Sequence, residues 1–198
     1  MDALLLGLAA AGGYLFGSIP FGLVLVRMAG LGDIRSIGSG NIGTTNVLRT
    51  GRKDLALLTL ILDSGKAGFA CLLFWWLISQ EAGLVAGGAA FLGHCYPVWL
   101  KFKGGKGVAT FLGVLLAAAW PVGLLACATW LGTALVFRIS SLAALVSAIA
   151  APFLCLAFGR EDAALLAVFL AALIYWRHRS NIDRLLKGAE PMIGAKKT

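Results

Sequence analysis

The chain has 198 residues, 60% of them hydrophobic and only 13% charged, with a formal net charge of +8 and a mean hydropathy of +0.89. A soluble domain carries about 25% charged residues, so this composition excludes an ordinary water-soluble globule. Its apolar residues run in long stretches with the charge gathered between them, which is the pattern of an all-α, polytopic membrane protein.

Taken in chain order, seven stretches are expected to span: 4–26, 56–78, 83–100, 108–119, 121–137, 141–158 and 163–176. Several fall short of the roughly 20 residues a straight spanning helix needs. The fourth and fifth would alternatively form one long helix kinked at Trp120-Pro121. Pro121 also suits the first turn of a new helix, where its missing N–H is no loss. Basic residues separate the two readings, because they collect in cytoplasmic segments. With seven spans and the N-terminus outside, the inner segments hold Arg27, Arg35, Arg49, Arg52, Lys53, Lys101, Lys103, Lys106 and Arg138. They also hold the tail from Arg177 to Lys196 and Lys197. Of 17 basic residues only Arg160, beside Glu161 and Asp162, then lies outside. Fusing spans four and five would place the basic tail outside. Seven transmembrane helices in a single domain, 1–198, with a cytoplasmic C-terminus, are therefore expected.

Met1-Asp2 opens without a basic stretch, so no cleavable signal peptide is expected. Cys71, Cys95, Cys127 and Cys155 are scattered through apolar sequence and read as small buried hydrophobes. The two histidines, His94 and His178, lack ligand-like neighbours, so no metal site is expected. No internal repeat stands out.

The loops carry the chemistry. The first reads Gly38-Ser39-Gly40-Asn41-Ile42-Gly43-Thr44-Thr45-Asn46-Val47-Leu48-Arg49. Glycines bring backbone N–H groups close to a ligand; Ser39, Asn41, Thr44, Thr45 and Asn46 offer small polar side chains, and Arg49 a planar fork for phosphate. The same residue types also build ordinary turns. The second loop, Lys101-Phe102-Lys103-Gly104-Gly105-Lys106-Gly107, leads into a helix. Such a loop is an anion site, because unpaired N–H groups and the helix dipole point at the ligand. Its spacing is not that of a nucleotide-binding P-loop. The third is Arg177-His178-Arg179-Ser180-Asn181-Ile182-Asp183-Arg184, where His178 would exchange protons with a substrate hydroxyl and Asp183 would pair with a neighbouring arginine. His94 is read as structural, hydrogen-bonding a loop. Asp63 and Lys66, three apart within an apolar span, share a helix face and neutralise each other, with Lys66 an outside candidate for substrate contact.

Together these segments resemble the bacterial acyl-phosphate:glycerol-3-phosphate acyltransferase family (PlsY) over nearly the whole chain. The resemblance runs through Gly17-Ser18-Ile19-Pro20-Phe21-Gly22, the GSGNIGTTNVLR stretch and Leu62-Asp63-Ser64-Gly65-Lys66. It continues through Gly93-His94-Cys95-Tyr96-Pro97, FKGGKGVAT and Arg177-His178-Arg179-Ser180-Asn181-Ile182. It implies a seven-helix enzyme of the bacterial inner membrane with its site at the cytoplasmic face. The implied partners are acyl phosphate and glycerol 3-phosphate in a lipid setting, with no cofactor and no nucleic acid. On this reading Ser39, Arg49 and Lys106 hold phosphates, aided by Gly40, Asn41, Thr45, Asn46, Gly104, Gly105 and Gly107. Lys106 also offsets charge on the attacked carbonyl, while His178 and Asn181 position the glycerol hydroxyl. Ser141 is a further contact for a substrate head. His178 and Asp183 also match the HxxxxD pattern of another glycerolipid acyltransferase family, but that family's mixed α/β domain has no counterpart here. A transporter for phosphorylated metabolites is the runner-up, though transporters place their sites near the midplane and show repeated halves. A scaffold subunit is a third reading, one that needs no such loops.

Overall fold

The computed structural model describes residues 2–194, and among them all regular structure is helical. The chain packs as two compact units that meet in sequence at Ala118 and Ala119.

In the first unit, α1 (Ala3–Gly17) begins where the Asp2 carboxylate accepts the Leu4 N–H at 2.9 Å. The expected single span 4–26 is broken: Pro20, which has no N–H to give, separates α1 from α2 (Phe21–Met28). A one-turn helix, α3 (Thr44–Val47), lies in the first loop. Next come α4 (Lys53–Leu77) and α5 (Gln80–Cys95), the latter capped by Ser79. A break at Tyr96-Pro97 again divides an expected continuous span, leaving only the 3-10 turn Val98–Leu100 beyond it. The unit ends with α6 (Val108–Ala118). Helix α1 packs along α5, and α4 packs against both α5 and α6. The α1–α5 approach is close enough that a Cβ on Gly13 or Gly17 would overlap the Ala86 or Ala90 backbone.

In the second unit, α7 (Trp120–Phe137), α8 (Ser140–Ala157) and α9 (Glu161–Arg177) follow one another, with α7 and α9 each packed on α8. A short polar helix, α10 (Arg179–Leu186), occupies what the sequence reads as loop. Helix α6 ends and α7 begins around Ala119, whose φ of −154° and ψ of 82° are not helical. Pro121 stands in the first turn of α7, and α6 and α7 are separate helices.

Each of the seven expected stretches contains helix, the first interrupted at Pro20 and the third at Tyr96-Pro97. Among the described residues, five segments, Ala3–Met28, Lys53–Leu77, Gln80–Leu100, Trp120–Phe137 and Ser140–Ala157, are long and apolar enough to cross a membrane, and Val108–Ala118 is a shorter apolar helix. Buried positions are mostly small, among them Ala67, Ala70, Ala86, Ala143, Ala148 and Ala167, while Trp76, Leu135, Val136 and Leu165 are exposed. Lipid produces this inversion. With no hydrophobic drive between helices, close packing of small residues holds them together and large apolar chains face the tails. Cys71, Cys95 and Cys155 are buried and Cys127 is partly so. Lys196 and Lys197 of the basic tail lie outside the described residues.

Candidate active site

The first unit contributes two of the three expected loops. The first loop is led in by Asp33, whose carboxylate accepts the Arg35 guanidinium at 2.6 Å, the Arg35 N–H at 3.0 Å and Arg27 at 3.0 Å. The Arg35 side chain, then its N–H, then Arg27 hold this carboxyl well below the usual carboxylate range. From there the loop winds around Asn46, which is almost wholly buried. The Asn46 amide nitrogen donates to the carbonyls of Ile34 (2.9 Å), Ile37 (3.0 Å) and Asn41 (2.7 Å). Its oxygen accepts the Ser39 N–H at 3.1 Å and Arg49 Nη1 at 3.3 Å. Asn46, expected among the substrate contacts, is instead saturated by the loop it organises. Gly38 has φ +59°, and a Cβ there would run into Asn46 and Arg49. Gly38, Ser39 and Gly40 are left exposed at the crest of this turn, as are Thr45 and Arg49. Inside it, Asn41 Oδ1 and the Thr44 hydroxyl are buried without a hydrogen-bond partner.

The second loop is pinned at both ends. Tyr14 Oη donates to the Tyr96 carbonyl and Trp99 Nε1 to the Ser18 carbonyl, each at 2.7 Å. The loop then folds back onto the end of α5: Gly104 N–H donates to Cys95 O at 3.1 Å and Gly105 N–H to His94 O at 3.0 Å. Gly107, at φ +83° with its Cα against the Phe91 ring, turns the chain into α6. Gly105 and Gly107 are buried, and Lys106 between them is partly exposed. Thr110 sits in the first turn of α6, with a buried hydroxyl that has no partner. Glycines and a lysine thus lead directly into the first turn of an apolar helix. His94 is buried and contacts Lys66, whose ammonium pairs with Asp63 at 2.7 Å.

The second unit holds the third loop. His178 is buried at the junction of α9 and α10. Its Nδ1 lies 2.8 Å from the Ile174 carbonyl, which can only accept, so Nδ1 carries a proton. In the neutral ring the lone pair is then on Nε2, as a proton acceptor requires. Asn181 follows one turn later, its N–H donating to the His178 carbonyl at 2.8 Å.

Sequence reasoning missed Glu190. Its carboxylate accepts the Asn181 amide at 2.6 Å and the Ser141 hydroxyl at 2.7 Å on one oxygen, and Arg184 at 2.7 Å on the other. Burial opposes its charge, but the hydrogen bonds from Asn181, Ser141 and Arg184 outweigh it and hold the carboxyl below its ordinary range. The one available signal was an acidic residue between the basic Lys187 and Lys196, followed by Pro191. Asp183 pairs with Lys187 at 3.0 Å, not with the expected arginine, and both are exposed. That places it in a surface ion pair on α10, outside the set that reads as catalytic.

Known proteins match this chain closely. The family model for glycerol-3-phosphate acyltransferase matches residues 7–188. The glycerol-3-phosphate acyltransferase of Maricaulis maris is 70% identical, with 100% of this chain and 92% of the relative covered; that of Rhodospirillum rubrum is 62% identical, with 100% and 95% covered. A crystal structure of PlsY, an integral membrane glycerol 3-phosphate acyltransferase, in its glycerol 3-phosphate form superposes with a TM-score of 0.90 at 39% identity over 96% of each chain. Its lysophosphatidic acid form gives 0.89 at 38%, covering 96% of this chain and 95% of that one. The chain belongs to the glycerol-3-phosphate acyltransferase family.

Proposed function

We propose that the chain transfers a fatty acyl group from an acyl phosphate to the 1-hydroxyl of sn-glycerol 3-phosphate. The products are 1-acyl-sn-glycerol 3-phosphate (lysophosphatidate) and inorganic phosphate, the first acylation of phospholipid synthesis. The enzyme would cross a bacterial inner membrane seven times, with the N-terminus outside and the chemistry at the cytoplasmic face. The observation that carries this reading is the glycine loop folded onto the end of α5, with Lys106 between buried Gly105 and Gly107 at the start of α6. Two glycine loops with separate basic residues, Arg49 and Lys106, suit two phosphorylated substrates. The related PlsY structures hold glycerol 3-phosphate and lysophosphatidic acid, an acceptor and a product of such a transfer.

The reaction divides among named groups. Ser39, Arg49 and Lys106, with Gly40, Asn41, Thr45, Gly104, Gly105 and Gly107, hold phosphates and offset the repulsion between two anions. Orientation of this kind lowers a barrier by several kcal/mol, up to about 7–11 in the best cases. The glycerol 1-oxygen attacks the acyl carbonyl carbon and the carbonyl–phosphate C–O bond breaks, so phosphate leaves with the electron pair. Lys106 offsets the charge that grows on the carbonyl oxygen. The hydroxyl proton passes to His178 Nε2 or to a substrate phosphate oxygen, while Asn181 and Ser141 orient the acceptor. An acyl phosphate is already activated, so no acyl-enzyme is needed.

The test is phosphate release by purified protein given palmitoyl phosphate and glycerol 3-phosphate, with Lys106→Ala alongside. Release that needs both substrates, yields an acylated product and is lost in the variant supports the reading. Product from acyl-CoA but none from acyl phosphate would overturn the donor assignment.

A further inference from the structure

Three sequence motifs that the proposed chemistry leaves unused meet inside the first unit. They are the Ser18-Ile19-Pro20 break, the Asp63/Lys66 step of α4 and His94 near the end of α5. Lys66 Nζ donates to the Ile19 carbonyl and to Asp63 Oδ1, each at 2.7 Å, and lies 3.0 Å from His94 Nδ1. The side chains of Lys66 and Asp63 are each 2% exposed and that of His94 4%. An ammonium has three donors and accepts nothing. A carboxylate and a carbonyl take two of them, so the third goes to His94 Nδ1 as acceptor. His94 is thereby the neutral ring with its proton on Nε2, the opposite tautomer to His178. Asp63 Oδ1 is 3.7 Å from His94 Nδ1, too far for a hydrogen bond, so the lysine is the link between carboxylate and imidazole.

The far side of that ring meets the glycine loop. A Cβ on Gly105 would overlap His94 at Nε2, Cε1 and Cδ2. The His94 carbonyl accepts the Gly105 N–H at 3.0 Å, and the next carbonyl, of Cys95, accepts that of Gly104 at 3.1 Å. One residue thus holds the loop by its backbone and packs it with a ring whose orientation is set from behind. A buried ion pair is weak support for stability, since an apolar pair of similar volume often does as well, and charges at membrane depth are costly.

We propose that Asp63, Lys66 and His94 are positioning residues, a buried chain of hydrogen bonds that sets the His94 ring and through it the shape of the loop Gly104–Gly107. This rests on the reading of that loop as a phosphate site. The protein's two histidines make ring-nitrogen NMR of selectively labelled protein simple to assign, with His178→Ala removing one set. The expected result is a neutral His94 with the proton on Nε2 and an Nδ1 resonance that shifts when Lys66 is replaced. Lys66→Met alone leaves Asp63 buried and unpaired and lowers the melting temperature. The apolar pair Asp63→Leu with Lys66→Met recovers most of that melting temperature. It keeps a raised KM for one of the two phosphorylated substrates, on the order of 10–100-fold, as displaced binding groups do. A double variant with wild-type KM values, or a His94 protonated on Nδ1, would overturn the proposal. If the wild-type protein forms no product, the acyltransferase reading falls, and the nitrogen resonances still decide the chain of hydrogen bonds.

Discussion

Glu190 accepts the side-chain amide of Asn181 at 2.6 Å, so the chain beyond α10 is tied back to the residue one turn after His178. Ser141 and Arg184 share the same carboxylate, whose side chain is only 7% exposed. Glu190→Gln keeps an acceptor for Asn181 or Ser141 but presents an N–H₂ where a carboxylate oxygen now meets Arg184. A loss of about 1–3 kcal/mol is expected from that buried N–H₂ facing another donor, read as a lower melting temperature in detergent.

The same residue gives a pH dependence of defined sign. A carboxyl held below its ordinary range when folded stabilises fully above its unfolded pKa, and that contribution is lost as pH falls through the folded one. With an ordinary value of 4.5 for glutamate, the wild-type protein is expected to lose stability as pH falls below that value. Glu190→Gln lacks this component. Parallel melting curves of the two proteins at any acidic pH would show that Glu190 does not carry it.

Asn46 predicts a loop collapse. Removing its amide in Asn46→Leu leaves the carbonyls of Ile34, Ile37 and Asn41 and the Ser39 N–H without their partner. Each buried group left unsatisfied costs about 1–3 kcal/mol. Asn46→Asp is expected to be no milder, because a carboxylate would face three carbonyl oxygens. Both variants should lose activity, and limited proteolysis within 34–49 should be faster than in the wild type.

Gly107→Ala adds a Cβ at φ +83° against the Phe91 ring. The left-handed backbone alone costs a side-chain-bearing residue roughly 1–2 kcal/mol, and the overlap displaces either the ring or the loop. The expected outcome is a raised KM for a phosphorylated substrate, with kcat less affected. A variant with both constants unchanged would show that the turn at Gly107 does not shape the proposed anion site.

His178→Ala is expected to lower kcat by about 10²–10⁴-fold, the usual contribution of a general base, with substrate KM values changed far less. If His178 takes the proton, the fall in kcat at acidic pH should disappear in the variant. Full activity in His178→Ala would leave a substrate phosphate oxygen as the acceptor.

Much of the architecture was legible because it is written locally. Apolar runs, the Trp120-Pro121 break and the glycine loop before α6 each depend on neighbouring residues, and each is found where the sequence puts it. The divisions at Pro20 and Pro97 were also written locally and were passed over, since hydropathy continues across them. Asn46, by contrast, reads as one more small polar residue in a polar loop. Only the folded chain places three carbonyls and an N–H around its amide.

Composition and charge by themselves determined a helical membrane protein with basic, glycine-rich loops, because lipid admits few spanning structures and each is marked by its own residue pattern. The acyltransferase family was likewise readable from the ordered motifs. Only tertiary structure decided that Lys66 reaches Ile19 and His94, 47 and 28 residues away, or that Glu190 closes on Ser141 across 49. Hydrogen-bond partners so far apart are chosen by helix packing, and no local spacing records which buried donor will meet which acceptor.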